Sequence, residues 1–281
     1  MENEEYRKLS HKIKVLGQTI LSPILITRRI EYYLPEFLTE LNDAYWAQYQ
    51  FLDKEQTLHF LLENRKGFIR YGDGEFALQF GSGIVYQRYS TSIRTSLDRI
   101  LATYTMKSPY LLGLPHQLQW SFPEMRRRNL WGIWKKGKLL SRHYLHEDCS
   151  YGDPFLFRSS GAEYIPLSCK AISQLWTGKS VILVGSMIDF FKEQRLIGAA
   201  EQYLVQAPKK DSFSKRNEIM AAIRRVILEH HLVCEETVIL IALGPAAKIL
   251  THDLCHDGWL TYDVGAYFDG QYQNSLMDTS C

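Results

Sequence analysis

Lys179-Ser180-Val181-Ile182-Leu183-Val184-Gly185 holds four aliphatic residues in a row between a polar entry and a glycine. An unbroken apolar run of this length reads as a strand covered on both faces, the habit of parallel sheets. Thr237 to Leu243 repeats the pattern and stops at Gly244-Pro245. Shorter extended runs are predicted at Gly67–Tyr71, Tyr110–Leu114 and Trp259–Val264, with a further piece within Gly161–Pro166. Between them, helical spacing is predicted over Thr57–Asn64, Ser92–Thr105, Trp120–Trp134, Ala171–Trp176, Glu218–His230 and Ala246–His256. Strands that alternate with helices predict an α/β fold, a Rossmann-like layered domain with a mainly parallel sheet flanked by helices. Tyr6–Ile20, broken by Pro23, and Phe37–Phe51 read as helices, so residues 1–55 are expected to form an N-terminal helical extension to a domain spanning 56–281.

Ligands of such sheets bind beyond the carboxyl ends of the strands. Four turns fall there: Gly72-Asp73-Gly74-Glu75, Gly185-Ser186, Gly244-Pro245 and Asp263-Val264-Gly265. The first closes the stretch Phe68-Ile69-Arg70-Tyr71-Gly72-Asp73-Gly74-Glu75-Phe76. In extended backbone, residues two apart point the same way, so Asp73 and Glu75 are expected to aim their carboxylates at one point. Gly72 and Gly74 leave the backbone open to a ligand. Two converging oxygen donors suit Mn²⁺ or Mg²⁺ carrying a phosphate. The same residues also read as a strand ending in a plain Asp-Gly turn. Helices that start after Gly185-Ser186 and Gly244-Pro245 would offer N–H groups to phosphate. Neither turn is a G-x-G-x-x-G or Walker A sequence, which weighs against NAD and P-loop chemistry.

Composition narrows the classes further. With 281 residues, 46% hydrophobic, the chain can bury a large core. Its net charge of +2 gives no reason to expect nucleic acid as a partner. Five scattered cysteines without a CxxC pair argue against a disulfide framework or zinc site and fit a reducing cytoplasm. The start, Met-Glu-Asn-Glu-Glu, is acidic where a secretory leader is basic, and no apolar run reaches a membrane span. The expected location is the cytoplasm, with contact at the inner face of the membrane as an addition. The basic segment Lys12–Arg29 suits a membrane surface, packing on its own domain, or a sister subunit in a homodimer. Arg126–Lys138, with three Arg, three Lys and two Trp, suits an anionic or lipid-linked acceptor, or nucleic acid, and suits a solvated helix face better than either.

Taken in order, several blocks resemble the GT-D-type glycosyltransferases, a bacterial family first catalogued as a domain of unknown function. Arg70-Tyr71-Gly72-Asp73-Gly74-Glu75 resembles the family's Arg-(Tyr/Phe)-Gly-Asp-Gly-Glu signature, and Gly81-Ser82-Gly83 with Gln87 its following glycine and Phe-Gln element. Tyr151-Gly152-Asp153-Pro154-Phe155-Leu156-Phe157-Arg158 resembles a Tyr-Gly-Asn-Ala-Phe-Ile-Ser-Arg block. Val181 to Asp189, with Ala207-Pro208 and Phe213, resembles a strand, glycine turn and proline element. Leu243-Gly244-Pro245-Ala246-Ala247 resembles Leu-Gly-Pro-x-Ala, and Asp263-Val264-Gly265 the start of Asp-Ile-Gly-His. The likeness covers about residues 55–270. Ala266 stands where the family has His, and Asp153 and Phe157 replace Asn and Ser.

The resemblance implies transfer of a hexose from a nucleotide sugar, UDP-glucose for example, to a glycan, glycoprotein, lipid-linked glycan or other saccharide acceptor. It implies a divalent metal on Asp73 and Glu75 that neutralises the leaving diphosphate. Arg70 and Arg158 are candidates for a diphosphate clamp, Arg158 equally for a structural salt bridge. Gly185, Ser186, Gly244 and Pro245 would frame the nucleotide. Asp153, Asp263 and Asp269 are candidates to activate the acceptor hydroxyl, Asp153 first, although Asp153-Pro154 also reads as a turn opener. Two other readings stand beside this one: a metal-dependent phosphoesterase or nuclease built on Asp73 and Glu75, and a catalytically silent nucleotide- or glycan-binding subunit.

Overall fold

In the computed structural model the apolar runs become the middle of a six-stranded parallel sheet; the residues described are 22–33, 46–129, 131–158, 167–186, 191 and 195–268. The described residues begin with helix α1 (Pro23–Tyr33), strand β1 (Gln50–Phe51), helix α2 (Lys54–Asn64) and strand β2 (Gly67–Arg70). Next come α3 (Asp73–Gln79), α4 (Thr91–Thr103), β3 (Tyr110–Gly113), α5 (Phe122–Arg127), α6 (Trp131–Ser141) and β4 (Ser150–Tyr151). Then follow α7 (Cys169–Ser173), β5 (Ser180–Gly185), β6 (Glu201–Gln206), α8 (Arg216–Glu229), β7 (Thr237–Ala242), α9 (Pro245–His256) and β8 (Leu260–Asp263). The large sheet runs β3-β2-β8-β7-β5-β6, every pairing parallel.

Successive residues of a strand face opposite sides of a sheet, and here both sides are dry. Ile69, Leu112, Ile182, Val184, Ile239 and Ile241 feed one core, which α3, α4, α6, α8 and α9 complete. Their neighbours Phe68, Leu111, Val181, Leu183, Val238 and Leu240 feed the other, under α2, α7 and Trp176. Burying each such side chain contributes roughly 1.5–3 kcal/mol, which is why the central strands have no polar alternation. The helices start on local signals. Asp53 caps α2 by accepting from Gln56 N at 2.8 Å while Gln56 Oε1 accepts from Asp53 N at 3.0 Å, a reciprocal capping box.

Several expectations change. Strand β6 was not anticipated, because an edge strand with an exposed pattern lacks the apolar run that marks β5 and β7. The single helix expected over Trp120–Trp134 is two, α5 and α6, parted at Asn129, whose φ of 55° is a left-handed turn that Asn tolerates. Pro23 opens α1 at its first position, where a missing N–H costs nothing. At the end of the expected helix Phe37–Phe51, Gln50 and Phe51 pair instead with Ser150 and Tyr151. The boundary drawn at residue 55 falls inside α2. Tyr6–Ile20, residues 37–45 and Gly161–Pro166 lie outside the described residues. Within α6, Lys135 lies over the Tyr32 ring and Lys138 over that of Trp46, so these two are buried stems rather than a solvated basic face. No helix among the described residues is long and apolar enough to cross a membrane.

β2 and β8 meet closely. A Cβ on Gly67 would lie 2.3 Å from Cys255 Sγ and 2.6 Å from the Thr261 carbonyl oxygen. Gly67→Ala is therefore expected to destabilise the protein by about 1–3 kcal/mol in urea unfolding, the usual range for overpacking. An unchanged midpoint would show that β8 slides freely past β2.

Candidate active site

The sheet's topology sets the place of the site. From β5 the chain moves outward to edge strand β6, whereas from β7 it passes through α9 to β8 on the opposite side. Chain paths that diverge this way leave a crevice beyond the carboxyl ends of the two strands. A groove of two adjoining chambers opens there, with room for about 180 and 350 Å³. The first is floored by Leu183, Val184, Ala242 and Leu243, with Tyr86 and Phe268 on its walls. The second is bounded by Gly72, Glu75, Pro154, Phe155 and Arg158. Arg70, Lys248 and Ala266 line both.

Between the chambers lies a network of four charged side chains. Asp263, at the end of β8, is fully buried. Its Oδ2 accepts from Arg70 N at 3.3 Å and lies 3.0 Å from Lys248 Nζ. Its Oδ1 accepts from Gly265 N at 3.2 Å and from Arg70 Nη2 at 3.4 Å. Arg70 Nη1 donates to Pro154 O at 3.0 Å. Lys248 Nζ also lies 3.2 Å from Glu75 Oε1 and donates to Gly244 O at 3.2 Å. Two cations and two anions neutralise one another out of water, the condition for burying them at all. Local geometry makes the network. Lys248 follows Gly244 by four residues, so its side chain lies back over the first turn of α9. Glu75, third in α3, reaches back to accept from Gly72 N at 2.9 Å. Gly265 has φ +56°, and a Cβ there would fall 1.7 Å from Arg70 Nη2, so the guanidinium can lie where it does only over a glycine.

Asp73 and Glu75 do not converge as expected. The strand ends at Arg70 and both acids lie in the first turn of α3, where residues two apart point roughly 200° from each other. Asp73 is exposed and does not line the groove, while Glu75 is buried with both oxygens engaged. As a chelating pair for Mn²⁺ or Mg²⁺ they do not fit as placed, because Asp73 lies in water off the groove while the Glu75 oxygens are taken by Gly72 N and Lys248 Nζ. Among the described residues no group of three or more His, Cys, Asp or Glu is placed to hold a metal.

The other expected residues divide clearly. Arg70, Gly72, Arg158, Gly185, Ser186 and Gly244 all border the groove. Gly74 packs near Ile84 in α3, away from it. Gly244 has φ +54° and a Cβ there would meet nothing, so its conformation, not crowding, calls for glycine. Pro245, the first residue of α9, has no N–H to offer a phosphate. Arg158 is exposed, stacks over the Phe155 ring at 5.7 Å and makes no ion pair among the described residues, which leaves its charge facing the second chamber. Asp263 has its oxygens filled by four donors and holds the site together; it is not poised to take an acceptor proton. Asp153 does not line the groove: its Oδ1 accepts from Phe155 N at 2.7 Å and its N donates to Thr57 Oγ1, so it opens a turn. Asp269 lies outside the described residues. Lys248 was missed. The available signal was a lysine among Ala246, Ala247, Ile249 and Leu250, all buried, one turn past a strand-ending glycine.

Comparison with known proteins gives a consistent set. The family model "Glycosyltransferase GT-D fold" matches residues 68–280. "Probable glycosyl transferase Gly" of Streptococcus gordonii is 29% identical over 254 residues, 83% of this chain and 34% of that protein. Glycosyltransferase GlyD of Streptococcus pneumoniae serotype 4 is 26% identical over 239 residues, 78% of this chain and 27% of that protein. The chain thus spans about a third or less of the length of these curated relatives. The solved structure described as "The highly conserved domain of unknown function 1792 has a distinct glycosyltransferase fold" superposes with a TM-score of 0.67 at 25% identity, over 87% of this chain and 86% of that one. "A New Glycosyltransferase (DUF1792) from Streptococcus sanguinis" gives 0.63 at 25% identity, over 83% and 87%.

Burial raises the pKa of Asp153, opposed by the Phe155 N–H and by His116 and Lys54 nearby. A carboxyl whose pKa is raised by folding binds more protons folded than unfolded between its two pKa values, so stability falls as pH rises through that window. Asp153→Asn keeps the acceptor for Phe155 N and removes the titration. The wild-type protein should therefore lose stability relative to this variant as pH rises from the ordinary carboxylate range, then run parallel to it. A difference constant with pH in denaturant titrations would show that Asp153 carries no such strain.

Proposed function

Because the chain belongs to the GT-D-fold glycosyltransferases, we propose that its groove transfers a hexose from a nucleoside diphosphate sugar, UDP-linked, to a saccharide acceptor. The acceptor class we propose is a glycan, a glycoprotein or a lipid-linked glycan. We place the reaction in the cytoplasm, where free cysteines such as buried Cys149 and Cys255 stay reduced. One observation carries the reading: Arg70 and Lys248 stand on the wall common to two adjoining chambers beyond the strand ends.

The chemistry follows from that placement. As the bond from sugar to diphosphate breaks, negative charge grows on the leaving oxygen, and a fixed cation lowers the barrier more than a mobile one does. Asp263 and Glu75 fix Lys248, and Asp263 with the Pro154 carbonyl fixes Arg70, before any donor arrives. The diphosphate meets charges that need no reorganisation. Phe155 and Arg158 bound the second chamber and suit a sugar, the ring giving an apolar face and the guanidinium a polar rim. Asp73 and Glu75 form no chelate as placed, so the charge of the leaving diphosphate falls to Arg70 and Lys248.

Calorimetry with UDP tests this in Mn²⁺ and again in chelator. Lys248→Met is expected to weaken UDP binding by about tenfold or more in both media, the scale of one charge-assisted contact. Since it also strands Glu75 and Asp263, thermal unfolding of the variant is read in parallel, and the exposed Arg158→Gln should weaken binding of a UDP-hexose without lowering stability. Binding that needs Mn²⁺, survives Lys248→Met and vanishes in Asp73→Asn would move the diphosphate onto a metal at Asp73 and sink the role given to Lys248.

A further inference from the structure

The loop after α3 ends in a tight turn. Ile84 N donates to Gln87 O at 2.9 Å and Gln87 N to Ile84 O at 3.3 Å, which leaves Val85 and Tyr86 at its tip. They are 77% and 54% exposed, among the largest exposed apolar surfaces described. Apolar side chains held at a tip add nothing to either core, and this tip is held firmly. Asp211, in the left-handed region at φ 54°, donates from N to Tyr86 O at 2.8 Å and accepts on Oδ1 from Arg88 N and on Oδ2 from Arg88 Nε, both at 2.7 Å. Gln87 is buried beneath and accepts from Phe213 N at 3.3 Å. The clamp ties the turn to the segment after β6, and Tyr86 thereby forms a wall of the first chamber.

That chamber is lined by four aliphatic residues and two aromatic rings, with Lys209 at its rim and Arg70 and Lys248 shared with the second chamber. Sugar hydroxyls find few partners on Leu183, Val184, Ala242 and Leu243, whereas the second chamber offers the exposed guanidinium of Arg158. A flat, uncharged ring attached to a diphosphate matches the first chamber. We propose that Tyr86 is the stacking residue for the nucleobase of the donor. The donor then lies in one direction, its base between β5 and β7 under Tyr86 and its sugar in the chamber bounded by Phe155 and Arg158. The assignment rests on the nucleotide-sugar reading above and adds to it which end of the donor lies where.

The test uses the full chain. In Tyr86→Trp, UDP should quench the added indole emission, measured as the difference from wild type, and inorganic diphosphate should not. By calorimetry, Tyr86→Ala should weaken UDP binding about tenfold, the scale of one base–aromatic stack, while diphosphate binding changes less than twofold and Tyr86→Phe restores UDP binding. UDP that binds Tyr86→Ala as tightly as wild type, or equal losses for UDP and diphosphate, overturns the stacking role. A wild-type chain that binds no UDP overturns the donor site itself, and this assignment with it.

Discussion

A fully buried carboxylate, Asp263, decides where the ends of three chain segments meet. It stands at the end of β8, beside β2 and β7, and α9 packs on both β2 and β8. Arg70 comes from the end of β2, Lys248 from α9, and Glu75, through Lys248, from α3. Without Asp263 two cations would face each other in a site where desolvation amplifies every charge. Removing one partner of such a buried network typically costs about 3–5 kcal/mol, mostly because the remaining charge is stranded. The network thus selects one arrangement of the strand ends over its neighbours more than it adds net stability.

The same arrangement explains the glycines of the groove. Gly265 yields its Cβ space to Arg70, and Gly244 takes a backbone conformation that lets α9 begin with Lys248 aimed back at the strand ends. Each is required by one neighbour in the network rather than by turns in general. Parallel strands make this possible, since they bring β2, β8, β7 and β5 to the same edge with their carboxyl ends level.

How much of this was legible in the sequence depended on which force wrote each part. Burial on both faces wrote β5 and β7 as unbroken apolar runs, and they were readable. β6 lies at the edge, where one side is wet, and no comparable run exists to read. The ordered glycine turns placed the site at the right edge of the sheet. The geometry of Asp73 and Glu75 was misjudged because the strand was carried past Arg70. A glutamate at the third position of a helix, reaching back to the N–H of the capping residue before it, is a capping pattern, and Gly72 to Glu75 follow it. Lys248 was hidden for a different reason: its role depends on two acids 173 and 15 residues away in sequence, Glu75 and Asp263, and spacing along one helix carries no trace of them.

Charge arithmetic then separates two tasks within the site. Arg70 and Lys248 are balanced by Asp263 and Glu75, so the network is neutral before a donor enters. A neutral set of fixed dipoles orients a diphosphate well but attracts it weakly from solution, because long-range steering follows net charge. Attraction must come from cations outside the network, and the groove has two at its rims that make no ion pair among the described residues: exposed Lys209 beside the first chamber and exposed Arg158 beside the second. Both lie in water, where salt screens them over about 8–10 Å at ordinary ionic strength. The buried pair is shielded from that screening. Orientation of the leaving group should therefore be insensitive to salt, while the rate of donor capture falls with it. A site whose only cations were the rim pair would lose both together.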